Sequence, residues 1–219
     1  FDWPSADIRL KRTTESIQII KQLWNKKEKK KQTDSNTLDY GKENNDEGFV
    51  NFNGEYFKIR NAKLYTPPST DIPLYMAASG PEATQTAAKY TEGLITISKP
   101  DKVKEMFDIF DKAALEEGKE PNSLQKIGKP KISYSEDYDK AFKSTEFWRS
   151  SLIENVFDLN ISDPRQLEQK AKDEVSDEKM KKSTLIITSI EDCIKPIEEY
   201  FEAGFTRVYM HSTSPDEIK

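Results

Sequence analysis

Residues 73–98 read PLYMAASGPEATQTAAKYTEGLITIS, and the pattern of side chains changes twice within this span. The first six residues, 73–78, are mostly apolar and are typical of a buried strand. Pro81 then opens a run to Tyr90 whose alanines recur at helical spacing, which predicts a helix. Residues 93–98 are apolar again and predict a second strand. This order indicates two parallel strands joined by a right-handed crossover.

The same alternation continues towards the C-terminus. Residues 101–117 have apolar side chains on one helical face, and Gly118 closes the predicted helix. The further predicted elements are a strand at 126–135, a helix capped by Ser135 or Asp137, a charged helical insertion at 149–183, an apolar run at 184–188, a helix capped by Ser189 with Pro196 inside it, and a last strand at 207–211.

The N-terminal part of the chain has a different character. The first long segment is roughly residues 5–31, in which apolar side chains recur at helical spacing from Leu10 to Trp24 and predict a helix. Its basic end, KKEKKK at 26–31, is interpreted as solvated rather than as an anion or RNA patch, and residues 25–48 as a mobile charged loop. Residues 49–60 predict a β-hairpin, because Asn53-Gly54 supplies positive φ at both central positions of a tight turn.

Strand–helix alternation is typical of an α/β fold, either a barrel or a doubly wound sheet. A (β/α)₈ barrel needs eight parallel strands and roughly 250 residues, and about four such strands fit here. Four strands in an open sheet would leave apolar edges uncovered. We therefore predict that residues 1–219 are one domain, that both ends are cuts through a larger fold, and that its first strands precede Phe1.

Composition narrows the class of protein. Lys and Arg total 34 and Asp and Glu total 39, so the formal net charge is −5, which argues against a general nucleic-acid binder. No run approaches ~18 apolar residues, and residues 1–30 show no signal-peptide pattern. With one cysteine, Cys193, and one histidine, His211, we expect no disulfide and no metal site. We predict a cytoplasmic protein without a membrane or nucleic-acid partner.

The turn between the first strand and its helix is the first candidate site. The strand ends there, small residues follow, and a helix starts with proline. The first N–H groups of a helix lack partners and carry partial positive charge, so a phosphate fits against them. The alternative is a tight turn that needs small residues only for packing. The candidate anion-binding residues are Ala77, Ala78, Ser79, Gly80 and Pro81.

Two further side chains fall at the same edge of the predicted sheet. Lys99 follows the second strand and is either a charge for a phosphate group or a solvated loop lysine. His211 ends the last strand, and it either contacts substrate or forms a structural hydrogen bond. Trp148 is interpreted as a core aromatic residue of a helix rather than as part of a pocket.

Several stretches, in their order and spacing, resemble the bacterial luciferase-like family. They are WP at 3–4, RLKRTTESIQIIKQLW at 9–24, FNGEYF at 52–57, PLYMAASGP at 73–81, EGLI at 92–95, KISY at 131–134, EAGF at 202–205 and VYMH at 208–211. Within that family the chain is similar to the deazaflavin branch. This branch uses coenzyme F420 and includes glucose-6-phosphate dehydrogenases, archaeal methylenetetrahydromethanopterin reductases and secondary alcohol dehydrogenases.

The resemblance implies a TIM (β/α)₈ barrel of which this chain is the C-terminal portion. It implies that the turn at 77–81 binds the cofactor phosphate and that Lys99 holds a sugar phosphate. A second lysine of that kind should fall near Lys181, Lys182 or Ser183, and Lys182 is the position we choose. The catalytic residues are expected before Phe1 and a phosphate-binding arginine beyond Lys219. A homodimer is also implied.

The function that the resemblance implies is hydride transfer between coenzyme F420 and an alcohol or a sugar phosphate. Two alternatives stay open at this point. One is an FMN-dependent luciferase-like monooxygenase, and the other is a non-catalytic barrel that binds phosphosugars. We expect the 219-residue chain to be inactive on its own.

Overall fold

The computed structural model describes residues 4–24, 48–154, 156, 159 and 161–215. The basic run and nearly all of the predicted charged loop at 25–48 lie outside these residues. The described helices are α1 (Ala6–Trp24), α2 (Pro81–Tyr90), α3 (Lys104–Glu116), α4 (Tyr138–Ser144), α5 (Pro164–Glu174), α6 (Asp177–Ser183) and α7 (Glu191–Glu202). Within the described part of the chain, no helix combines the length and the apolar character that crossing a membrane requires.

The described strands are short, and most of them are parallel. They are β1 (Val50–Asn53), β2 (Lys58–Ala62), β3 (Met76–Ala77), β4 (Gly93–Thr96), β5 (Gln125–Gly128), β6 (Lys131–Tyr134), β7 (Thr184–Ile187), β8 (Arg207–Val208) and β9 (His211–Ser212). Single 3₁₀ segments cover Pro100–Lys102, Pro121–Ser123 and Thr145–Leu152. The insertion predicted at 149–183 therefore contains the end of the last 3₁₀ segment together with α5 and α6.

The main sheet has the parallel order β3-β4-β5-β8. Strand order follows chain order, as in a barrel, and does not reverse from a central strand as in a doubly wound sheet. One core joins Met76 and Leu94 of the sheet to Phe110 of α3 and Tyr200 of α7. Helices therefore cover one face of this sheet, as on the outside of a barrel.

The strand predicted at 126–135 is divided into β5 and β6 by Lys129-Pro130. Its pairing nevertheless continues, because Ile127 aligns with Arg207 in β8 and Lys131 aligns with His211 in β9. Strand β7 pairs with β6 from its other side. The result is a long strand whose far half reaches beyond the carboxyl end of β4.

A half-buried lysine closes the C-terminal end of α2. The Lys119 ammonium donates to the carbonyl oxygens of Ala88, Lys89 and Thr91 at 2.7, 2.8 and 3.1 Å. The last carbonyls of a helix lack N–H partners, and a cation there satisfies them. Burial lowers the pKa of Lys119.

The hairpin of β1 and β2 does not have the turn that Asn-Gly predicts. Asn53 pairs with Lys58, so residues 54–57 form the loop, and neither Asn53 nor Gly54 has positive φ. The prediction of a two-residue turn is wrong because Glu15 of α1 binds the loop. Its carboxylate accepts from the N–H groups of residues 55, 56 and 57 at 2.7 to 3.3 Å.

Glu15→Gln is expected to lower the free energy of unfolding by about 2 kcal/mol, because hydrogen bonds to a charged acceptor are the stronger kind and the amide nitrogen cannot accept. Urea unfolding of the intact protein measures this loss. Glu116→Gln, an exposed glutamate of α3, is the control and should change little. Equal stability of the Glu15 and Glu116 variants would refute the role of this carboxylate.

Candidate functional site

The turn after β3 places the start of α2 at the carboxyl edge of the main sheet. The Ala78 N–H donates to the Ile95 carbonyl at 3.0 Å, which fixes the end of the strand against β4. Gly80 is the N-cap residue and Pro81 the first helical residue. The Gly80 carbonyl accepts from Thr84, through its N–H at 3.0 Å and its Oγ1 at 2.9 Å.

The N-terminus of α2 is open to a ligand. No side chain caps it, and a Cβ built on Gly80 meets nothing within 4 Å. Gly80 has φ −127° and ψ 167°, which any residue can adopt, so the glycine leaves space and is not required by the backbone. Free N–H groups in an open, positively polarised turn fit a phosphate group, and hence a phosphate-bearing cofactor.

A cavity of about 620 Å³ lies beyond the carboxyl ends of β4 and β5. It brings together the three predicted substrate residues, Lys99, Lys182 and His211. The other lining residues are Ile97, Pro100, Asp101, Lys129, Pro130, Lys131, Trp148, Ser151, Leu152, Ser183, Thr184, Leu185, Pro196, Glu199 and Tyr200. Residues 77–81 are not part of this lining, so the candidate turn and the cavity are separate features of one edge.

Lys99 and Lys182 meet in the cavity although they are 83 positions apart. The exposed Lys99 ammonium donates to the backbone carbonyl of Lys182 in the last turn of α6. Lys181, the neighbouring alternative, has its ammonium over the Phe142 ring, 5.0 Å from the centroid. Of the three positions considered from the sequence, Lys182 and Ser183 line the cavity.

The sequence predicted that His211 ends the last strand. In the structure His211 is instead the first residue of β9. Its N–H donates to the Pro130 carbonyl at 2.9 Å. Its ring packs edge-to-face on Trp148, with centroids 4.8 Å apart. The interruption between β8 and β9 lies opposite the interruption at Lys129-Pro130 between β5 and β6. This explains why the observed strand boundary differs from the predicted one.

Among the lining residues that were not predicted as site residues are Lys129, Lys131 and Trp148. Trp148 was predicted to be a core residue, which is wrong, because it is half-exposed and lines the cavity. Lys131 could have been found from the strand KISY, where a lysine precedes two buried residues. Burial, and then the charge of Lys129, lowers the pKa of Lys131.

The charges that line the cavity favour an anion. Four lysines, Lys99, Lys129, Lys131 and Lys182, face two carboxylates, those of Asp101 and Glu199. Lysine ammonium groups bind phosphate as point charges. A phosphorylated small molecule therefore matches the electrostatics of this cavity better than a neutral or cationic one.

A parallel sheet covered by helices on one face, with an open helix N-terminus and a lysine-lined cavity at its carboxyl edge, is typical of part of an α/β barrel. The family described as luciferase-like monooxygenase matches residues 4–207. The chain belongs to this family, and the resemblance stated from the sequence is confirmed.

Named relatives agree with this assignment. The chain is 25% identical to an F420-dependent glucose-6-phosphate dehydrogenase of Microbacterium testaceum, over 99% of this chain and 59% of the relative. A protein of the same name from Mycolicibacterium gilvum is 26% identical over the same shares. The chain thus spans about three fifths of the length of these relatives, 59% of each.

A solved structure is also similar. An F420-dependent secondary alcohol dehydrogenase in complex with an F420-acetone adduct superposes with a TM-score of 0.81 and 28% identity, covering 98% of this chain and 59% of that one. A coenzyme F420-dependent tetrahydromethanopterin reductase from Methanopyrus kandleri, 20% identical with a TM-score of 0.60, supports the fold alone. These likenesses confirm the luciferase-like TIM-barrel fold.

Proposed function

We propose that the intact protein is an oxidoreductase that transfers a hydride between coenzyme F420 and an alcohol or a sugar phosphate. The observation that carries the proposal is the position of the open α2 N-terminus and the lysine cavity at one edge of the sheet. In barrel enzymes this edge holds the active site. Similarity to the two glucose-6-phosphate dehydrogenases and to the alcohol dehydrogenase supports the choice of cofactor.

In this proposal the backbone of residues 77–83 holds the cofactor. The N–H groups at the start of α2 bind a phosphate of its tail, and the small side chains from Ala77 to Gly80 let that tail approach. The deazaflavin supplies the hydride chemistry at its C5 position. Anchoring the tail fixes the ring relative to the substrate cavity, which is how a protein lowers the entropic barrier of such a transfer.

The cavity residues hold the substrate in this proposal. Lys99 and Lys182 attract its anionic group, and the present bond of Lys99 to the Lys182 carbonyl gives way to a charged acceptor, because charge-assisted hydrogen bonds are stronger. His211, held by Trp148, contributes a polar contact. We assign proton transfer to none of these three residues.

The choice between F420 and FMN is tested by titrating the intact protein with each cofactor. We expect F420 to bind and to be reduced when an alcohol or glucose 6-phosphate is added. Binding of FMN alone would favour a monooxygenase, the second candidate, which the description of the family suggests. Binding of neither cofactor would favour a non-catalytic phosphosugar-binding barrel.

Lys99→Met is expected to raise KM for a phosphorylated substrate about tenfold, equivalent to ~1.4 kcal/mol, because one ammonium contact to the phosphate is lost. KM for an unphosphorylated alcohol should hardly change. Lys102→Met is the matched control, since Lys102 is exposed three positions away and lies outside the cavity lining. If steady-state kinetics give the same KM for the phosphorylated substrate in both variants, Lys99 does not bind that substrate.

A further inference from the structure

One lysine of the cavity has surroundings unlike those of the other three. Lys131 is half-buried on β6, whereas Lys99, Lys129 and Lys182 are exposed. Its ammonium donates to Ser151 Oγ at 2.6 Å. Among the residues that the structure describes, no carboxylate forms an ion pair with it. Lysine has three N–H donors, so one hydroxyl is a poor match for a partly buried charge.

Lys119 is a half-buried lysine of the same fold whose N–H donors all have protein acceptors. Its pKa is also lowered by burial, but its ammonium donates to three carbonyl oxygens at the end of α2. Those three acceptors account for its three donors, and its role is structural. Among the described residues, Lys131 donates to one oxygen atom, that of Ser151, and it lines a cavity, so its other N–H groups can bind a ligand there.

The Trp148 ring contacts the Lys131 ammonium and positions it. The Nζ atom lies 5.2 Å from the centroid of the Trp148 ring, within the range of a cation–π contact. The Trp148 ring in turn packs edge-to-face on His211. Ser151 follows Trp148 on the same 3₁₀ segment, and its hydroxyl donates to the Trp148 carbonyl at 2.6 Å. The 3₁₀ segment therefore positions both groups that contact the ammonium.

We propose that Lys131 is an additional anion-binding residue of the substrate site, positioned by Ser151 and Trp148 in the cavity that holds Lys99 and Lys182. The proposal rests on the proposed function for the identity of the bound molecule as substrate. The anion supplies the acceptors that Lys131 lacks, and Lys131 makes the site selective for phosphorylated over neutral molecules. Because the anion favours the charged ammonium, its binding raises the pKa of Lys131.

The pH dependence follows from the sign of these shifts. In the free protein the lowered pKa of Lys131 means that its charge is lost at a lower pH than that of an ordinary lysine. The contribution of Lys131 to anion affinity should therefore be lost, as the pH rises, at a lower pH than an ordinary lysine would give. The other titratable groups lining the cavity are Lys99, Asp101, Lys129, Lys182, Glu199, Tyr200 and His211.

Calorimetric titration of the intact protein with glucose 6-phosphate, without cofactor, tests the proposal. Glucose serves as the neutral probe. Lys131→Met should weaken the binding of glucose 6-phosphate about tenfold, as expected for one lost charged contact. Lys131→Arg should retain most of the affinity, and Lys140→Met, on the exposed side of α4, should retain all of it.

The pH profile separates binding from a structural role. Wild-type affinity should begin to fall at a lower pH than that of Lys131→Arg, since arginine stays charged. Profiles that coincide, or unchanged affinity in Lys131→Met, would overturn the proposal, as would absence of glucose 6-phosphate binding by the wild type. Because the titration contains no cofactor, failure of F420 binding would refute the proposed function and leave this result standing.

Discussion

Gly93→Ala is expected to lower the free energy of unfolding by about 3 kcal/mol, at the upper end of what overpacking a buried site costs. A Cβ on Gly93 would lie 2.3 Å from the Gln125 carbonyl oxygen and 2.8 Å from its Cβ. Both atoms belong to β5, which pairs with β4 at this position. The clash involves neighbouring backbone and cannot be relieved by rotating a side chain.

The consequence extends beyond one strand pair. The Gly93 carbonyl accepts from Thr91 Oγ1 at 2.9 Å, and the Gln125 N–H donates to the Glu92 carbonyl at 2.9 Å. Separating β4 from β5 therefore loosens several hydrogen bonds together. Lys99 follows β4 three residues after its carboxyl end, so this variant should lose substrate affinity as well as stability.

Urea unfolding of the intact protein checks this expectation, with Gly80→Ala as the matched control. Gly80 lies at the opposite end of the same strand–helix unit, where a Cβ meets nothing within 4 Å. Its substitution should change the free energy of unfolding by no more than about 1 kcal/mol, the difference between glycine and alanine as N-cap residues. Equal stability of the two variants would show that β4 and β5 are not packed as described.

Gly80→Val should weaken the binding of coenzyme F420 at least tenfold (~1.4 kcal/mol) and lower stability by no more than about 1 kcal/mol. The valine side chain enters the open space in front of the first N–H groups of α2, where we propose that the phosphate binds. The backbone of Gly80 is extended, so the substitution introduces no strain.

Gly80→Ser distinguishes obstruction of the cofactor site from a loss of folding stability. Serine caps helices well, because its hydroxyl accepts from the N–H groups that an anion would otherwise use. We expect this variant to be at least as stable as the wild type and to bind F420 more weakly. Fluorescence titration measures both affinities. Wild-type affinity in both Gly80 variants would remove the turn from the cofactor site.

The order of the elements could be read from the sequence because it rests on local signals. The apolar runs at 73–78 and 93–98 and the proline and glycine residues between elements mark the strand–helix alternation without help from distant residues. The turn of the hairpin could not be read in this way. Its conformation depends on Glu15, which lies 40 positions from Glu55 in the chain.

The same distinction between local signals and contacts of distant residues applies to the candidate site. Lys99 and His211 were chosen because they flank strands, and Lys182 because of a resemblance. The structure places all three in one cavity. Lys131 was not chosen as a site residue, and Trp148 was assigned to a helix core, because their contact joins a strand to a 3₁₀ segment across 17 positions of the chain. Neither a lysine in a strand nor a tryptophan in a helical run indicates a binding site by itself. The contact between them is visible only in the folded structure.

A crystal structure of the intact protein with bound coenzyme F420 tests the central claim most directly. We predict that a phosphate oxygen of the cofactor lies within hydrogen-bond distance of the N–H groups of Glu82 and Ala83, with its chain passing over Gly80. A cofactor whose phosphate is held elsewhere, with the N-terminus of α2 facing only water, would contradict the account.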